Sequence, residues 1–193
     1  KVTDAVVYGQ GAVRSGEMPL LLDVYEPLVP DTDRARPALL IIHGGSFLHG
    51  SRKQDALVEF AREFASRGYV VASMDYRLSG DAPELSGATR AMYEASSAEL
   101  KEAFRGAGID DKAPWAAFED AQSALQWLHD SEESLNIDTS RVALLGGSAG
   151  ALTALKVAYH LDEVAPEAMA PAAVTAIWGS VDNDDTSVME AGA

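Results

Sequence analysis

Short, wholly apolar runs alternate along this chain with longer stretches in which apolar residues recur every three or four positions. Residues 39–42 (LLII), between Pro37 and Gly44, contain no polar position, as expected of a strand covered on both faces. Residues 69–74 and 140–145 predict two more buried strands, and residues 172–178 a last one. Near the start, residues 6–8 and 20–25 predict two strands paired antiparallel. The helical stretches lie between. Residues 54–66 set Leu57, Phe60, Ala61, Phe64 and Ala65 on one face and end at Gly68. Residues 115–129 align Phe118, Ala121, Leu125 and Leu128, and residues 149–161 predict another helix. This alternation predicts an α/β fold: a mostly parallel central sheet with helices on both faces. In such sheets ligands bind beyond the carboxyl ends of the strands, so the chemistry is expected there.

One stretch breaks the rhythm. Between the strand ending near Asp75 and the helix starting near Trp115 runs a long connection whose middle, residues 89–104, looks helical. It leaves from a carboxyl strand end. Within a single domain spanning residues 1–193, residues 79–114 are expected to form either a lid or pocket wall, or a surface excursion packed on itself.

Composition narrows the possibilities. The chain has 193 residues, 47% of them hydrophobic, which suffices for a real core. Fifteen basic against 30 acidic residues give a net charge of −15, which repels phosphate backbones and argues against nucleic-acid binding. The same charge leans toward a secreted or periplasmic setting. No apolar run approaches the length of a membrane span, and no signal-peptide pattern follows Lys1. The absence of cysteine excludes a thiol nucleophile, thiolate metal sites and disulfides.

Two glycine-rich segments carry chemistry. Gly146-Gly147-Ser148-Ala149-Gly150 follows one predicted strand and opens a helix. A serine on that tight turn presents its Oγ as a nucleophile, and the helix N-terminus behind it favours a developing oxyanion. The segment lacks both the lysine of a P-loop and the spacing of a dinucleotide site. His43-Gly44-Gly45-Ser46-Phe47 follows another buried strand, and its glycines let backbone N–H groups turn into a pocket as oxyanion donors. His43 reads as a residue that orders this loop rather than as a base.

These motifs resemble those of the HGG-type carboxylesterases of the α/β-hydrolase superfamily, which include hormone-sensitive-lipase-like esterases and bacterial acetyl- or feruloyl-esterases. The similarity runs through LLLDVYEP (20–27), PALLIIHGGSF (37–47), VVASMDYRL (70–78), EDAQSALQWL (119–128) and RVALLGGSAG (141–150). The resemblance implies Ser148 as catalytic nucleophile and the N–H groups of Gly45, Ser46 and Ala149 as the oxyanion hole. His43, Gly44, Gly146 and Gly150 support the two motifs. It implies a small-molecule ester as substrate, with no metal or organic cofactor. Asp75, Tyr76 and Arg77 match a segment that shapes the site and braces the fold without taking part in chemistry.

A serine nucleophile needs a histidine held by a carboxylate, in the chain order serine, acid, histidine. The one histidine after Ser148 is His160, on the same predicted helix and roughly 18 Å away at about 1.5 Å rise per residue. His129 is expected at the opposite edge of the sheet, and His49 precedes the serine. Asp182, Asp184 and Asp185 follow the last predicted strand, where a polar turn competes with an oxygen-ligand cation site. The family's last two strands, with its acid and histidine, are therefore expected to be missing. A longer enzyme, completion by a second chain, and a non-catalytic binding protein on an esterase scaffold are the alternatives. A fragment of a prolyl-oligopeptidase-type serine peptidase shares the same core.

Overall fold

A computed structural model of the chain describes residues 1–28, 34–164 and 170–178, without the side chains of residues 161–164. Its centre is a sheet of six strands among the described residues: β1 Val2–Val13, β2 Gly16–Tyr25, β3 Arg36–Ile42, β4 Val70–Met74, β5 Ile137–Gly147 and β6 Ala173–Ile177. Their order is β1-β2-β4-β3-β5-β6. The β1–β2 and β2–β4 pairs are antiparallel. The β3–β4, β3–β5 and β5–β6 pairs are parallel. The helices are α1 Asp55–Ser66, α2 Gly87–Ala95, α3 Ala98–Gly106, α4 Ala113–Asp130, α5 Glu132–Leu135 and α6 Ala149–Val164.

The all-apolar run behaves as its composition demands. Side chains alternate across a strand, and both faces of β3 are buried. Leu40 and Ile42 enter a core shared with Phe118, Ala121, Leu125 and Leu128 of α4 and with Ala154 and Val157 of α6. Leu39 and Ile41 enter a second core, with Ala61 and Ala65 of α1. Both faces of the sheet are thus covered by helices, and the α/β expectation holds.

Three details differ from the sequence reading. Phe60 was expected on the buried face of α1 but is 44% exposed. At about 100° per residue it lies about 100° round the helix from Ala61, beyond the stripe centred on Leu57, Ala61 and Phe64. The first hairpin is much longer than residues 6–8 predict, because β1 carries irregularities between Thr3 and Val6 and between Val7 and Gly9. These break the alternation on which a strand assignment relies. The helical stretch 89–104 is two helices, separated at Ser96 and Ser97, whose extended backbone ends α2 and caps α3. The Ser97 hydroxyl accepts a hydrogen bond from the Leu100 N–H.

Candidate active site

Parallel pairing of β3 with β5 sets Ile42 opposite Gly146, so the loops leaving the two strands emerge side by side. A Cβ on Gly44 would sit 2.7 Å from the Gly147 carbonyl oxygen and 3.3 Å from Ser148 Cβ. The two glycine-rich motifs, about a hundred residues apart in sequence, therefore meet at the carboxyl edge of the sheet. Glycine is required for the approach at Gly150, where a Cβ would overlap the Ile42 carbonyl.

Ser148 stands at the junction of β5 and α6 with φ +54°, a left-handed conformation that a serine adopts at a cost of order 1–3 kcal/mol. Its N–H donates to the Ile177 carbonyl at 2.8 Å, and its carbonyl accepts from the N–H groups of Ala151 and Leu152. The turn is thus held from β6 on one side and from α6 on the other, while the residue itself is exposed. Ala149 opens the helix, so its N–H belongs to the first turn, whose donors have no partner within the helix.

The loop after β3 is a tight turn closed on itself. The N–H groups of Leu48 and His49 both donate to the Gly45 carbonyl. Gly45 has φ +125°, where L side chains are strained, and Ser46 and Phe47 have φ +54° and +57°. Three successive positive φ values curl this backbone back on itself, and Phe47 is buried. The Phe47 ring meets Tyr76 edge-on at 6.2 Å and Phe104 of α3 at 6.3 Å.

His43 is 1% exposed and stacks on Tyr76 at a centroid distance of 4.2 Å. Its Nδ1 lies 2.8 Å from the Gly44 carbonyl, and the Tyr76 hydroxyl donates to the His43 carbonyl at 2.9 Å. Burial lowers the His43 pKa, against the opposing effects of the Gly44 carbonyl and Asp75. The His43 ring is thus held between Tyr76 and the Gly44 carbonyl.

Comparison with known proteins places this architecture. Residues 22–87 match the BD-FAE family and residues 111–191 match the family described as alpha/beta hydrolase fold. The chain has the α/β-hydrolase fold. Among curated relatives of this chain, the non-reducing polyketide synthase prhL of Penicillium brasilianum is 31% identical over 94% of the chain and 6% of its own length. Gut esterase 1 of Caenorhabditis elegans is 30% identical over 71% of the chain and 20% of its own length. Among solved structures, a thermophilic esterase from Thermogutta terrifontis superposes with a TM-score of 0.62 at 23% identity, over 90% of this chain and 53% of its own. That likeness concerns the fold. The chain spans about half of the solved esterase and a small part of each curated relative.

The remaining candidates fall as follows. His160 lies on α6, three turns beyond Ser148. His129 lies in the last turn of α4, which leads through α5 to the start of β5, at the amino edge of the sheet. His49 is exposed in the turn after Gly45. Asp182, Asp184 and Asp185 lie outside the described residues. Among the described residues no cluster of His, Cys, Asp and Glu could hold a metal ion, and no helix is long and apolar enough to cross a membrane.

Sequence reasoning left Asp75 and Arg77 without partners, and the structure supplies them. Arg52 donates through its N–H to Asp75 at 2.7 Å and through Nε to Asp23 at 2.8 Å, with a further ion pair to Asp75. This pins the far end of the His43 loop to β2 and β4. Burial disfavours ionised Asp23, but the Ala5 N–H and the Arg52 guanidinium outweigh it and hold its pKa below the usual range. Arg77 is fully buried and donates to both carboxylate oxygens of Asp120, to Glu119 and to the carbonyls of Ala12 and Glu84. A lone charged residue in an otherwise buried run, such as Asp23 in LLLDVY or Asp120 in the α4 face, was the available signal, since buried charges require partners.

Proposed function

We propose that this protein hydrolyses carboxylic esters through an acyl-enzyme formed on Ser148. The observation that carries the proposal is an exposed serine at positive φ, on a strand-to-helix turn directly beside the glycine loop that follows β3. Ser148 Oγ attacks the acyl carbon, and the N–H groups of Gly45, Ser46 and Ala149 receive the oxyanion. Such donors are fixed before the reaction and gain strength as negative charge develops. Removal of one from a comparable site costs about 3–4 kcal/mol of transition-state stabilisation. Esterase relatives support a small uncharged ester as substrate, and the acidic surface disfavours anionic ones.

The serine proton must pass to a histidine held by a carboxylate. His43 is committed to the loop, His129 and His160 are remote, and His49 precedes the serine. The reading therefore requires a histidine other than these four, from a longer form of the chain or from a second chain. In this reading residues 79–114 would serve as a pocket wall, which the contact of Phe104 with Phe47 at 6.3 Å supports.

A fluorophosphonate probe applied to the full-length protein, followed by peptide mapping, tests this reading. Labelling at Ser148, and loss of labelling and of p-nitrophenyl acetate hydrolysis in Ser148→Ala, is the expected result. A folded full-length protein that takes no label would leave a binding protein on an esterase scaffold in its place.

A further inference from the structure

The connection from β3 to α1, residues 43–54, carries Gly45 and Ser46 in its first half. Its second half returns against the first. A Cβ on Gly50, which has φ +112°, would sit 2.4 Å from the Gly44 carbonyl oxygen and 2.5 Å from His43 Nδ1. The backbone at residue 50 therefore touches the start of the loop, and a displacement there is passed to Gly44 and its neighbours.

Arg52, two residues on, is fixed through backbone and side chain together. Its N–H donates to Asp75 at 2.7 Å, and its carbonyl accepts from the Ser73 hydroxyl at 3.0 Å. Its Nε donates to Asp23 at 2.8 Å, and its Nη1 pairs with Asp75. The groups that hold it are themselves fixed. Asp23 and Ser73 are buried within β2 and β4. Asp75 donates its N–H to the Leu21 carbonyl at 2.8 Å, and its own carbonyl accepts from the Tyr8 hydroxyl at 2.6 Å. One residue further, Tyr76 stacks on His43 and donates to its carbonyl. Asp75 and Tyr76, adjacent in sequence, thus grip the far and near ends of one loop. These bonds do not cap α1, whose N-cap residue is Gln54.

We infer that Arg52 is a positioning residue for ester hydrolysis, holding the N–H groups of Gly45 and Ser46 in the place that the oxyanion requires. This role presupposes the ester-hydrolase reading above. Donors stabilise a developing oxyanion best when they are fixed before the reaction, and Gly44, Gly45 and Gly50 give the loop a backbone freedom that it must lose. The Arg52 fork supplies the constraint by bridging two carboxylates at once, which the point charge of a lysine does not reproduce. Arg52 acts through Gly50 and Gly44 and takes no part in the chemistry.

Steady-state hydrolysis of p-nitrophenyl acetate by the full-length protein, expressed per Ser148 site titrated with a fluorophosphonate, tests this. Arg52→Ala would strand the buried Asp23 carboxylate, so Arg52→Lys, which keeps the charge but not the fork, is the informative variant. Misplacing a group by about 1 Å costs about a hundredfold, and the smaller shift expected here should lower kcat roughly tenfold with KM little changed. Affinity for a trifluoromethyl ketone, whose serine adduct places an oxyanion on the same donors, should fall by the same factor. Lys53→Ala removes the neighbouring cation, 3.5 Å from Asp23, and should leave both unchanged. The positioning role is overturned if Arg52→Lys lowers only the urea midpoint, if it raises KM at unchanged kcat, or if Lys53→Ala matches its loss. A wild-type protein that neither takes the label nor hydrolyses the ester overturns the ester-hydrolase reading, and this role with it. Wild-type activity with an unaffected Arg52→Lys overturns the positioning role alone.

Discussion

Arg77 ties together three segments that are far apart in the sequence. Its guanidinium joins the end of β1 through Ala12, the chain entering α2 through Glu84, and α4 through Asp120 and Glu119. Burial works against its charge, but Asp120 and then Glu119 overcome this and raise its pKa. Breaking a buried pair leaves one ion uncompensated, at a cost of about 3–5 kcal/mol. Asp120→Ala is therefore expected to lower the urea midpoint by that equivalent; an unchanged midpoint would remove Arg77 from its bracing role. His43 gives a pH dependence of definite sign. Its folded pKa lies below the ordinary 6.5. Above about pH 6.5 both states are neutral and stability is unaffected through this group. Below it the unfolded chain takes up the proton first, so stability falls until the folded state is protonated as well. Urea midpoints followed downward from neutral pH should drop less in His43→Gln than in wild type, and parallel curves would contradict the assignment. At this scale Ser148 and the His43 loop were legible in the sequence, because a glycine-flanked serine after an apolar run constrains its own backbone. Asp120 was not, since its partner is 43 residues away in sequence and only the fold brings them together.

Strand–helix alternation identified each major strand, because burial on both faces of β3 and β4 leaves them almost wholly apolar, with Ser73 admitted only by its hydrogen bond to the Arg52 carbonyl. Element boundaries and the length of β1 were less legible, since irregular pairing shifts the inward positions out of period. The connection between β4 and α4 could be placed at the correct edge but not resolved into α2 and α3. The break at Ser96 and Ser97 is a capping event, and capping serines read much like surface serines. The role of this segment rests on few side chains. Ser79 donates through both its N–H and its hydroxyl to the Phe47 carbonyl, and Asp110 donates through its N–H to Ser79. Phe104 adds the apolar half of the junction. Phe104→Ala should therefore loosen α3 without unfolding the molecule. Hydrogen exchange read by mass spectrometry should show amides of α3 opening roughly tenfold faster while α4 is unchanged. Equal protection in both proteins would mean that α3 is held by other contacts.

The whole molecule is organised about β3. From it the chain winds first to β4 on one side and then returns to lay β5 on the other, and loops from adjacent strands diverge at that reversal. Ser148 and the His43 loop share the carboxyl edge. The net charge of −15 was evident from composition.

The β3–β5 pairing also bears on how the molecule is made. Ile42 and Gly146 are partners across 104 residues of chain, and closing a loop of that length costs about 4 kcal/mol in entropy before any contact repays it. Local hairpins and helices form ahead of such a junction. The serine turn and the glycine loop consequently come into register only when the central strands do, so a partly folded chain emerging from the ribosome carries both motifs but no site. The meeting of the two motifs and the pairing of the central strands are one kinetic event.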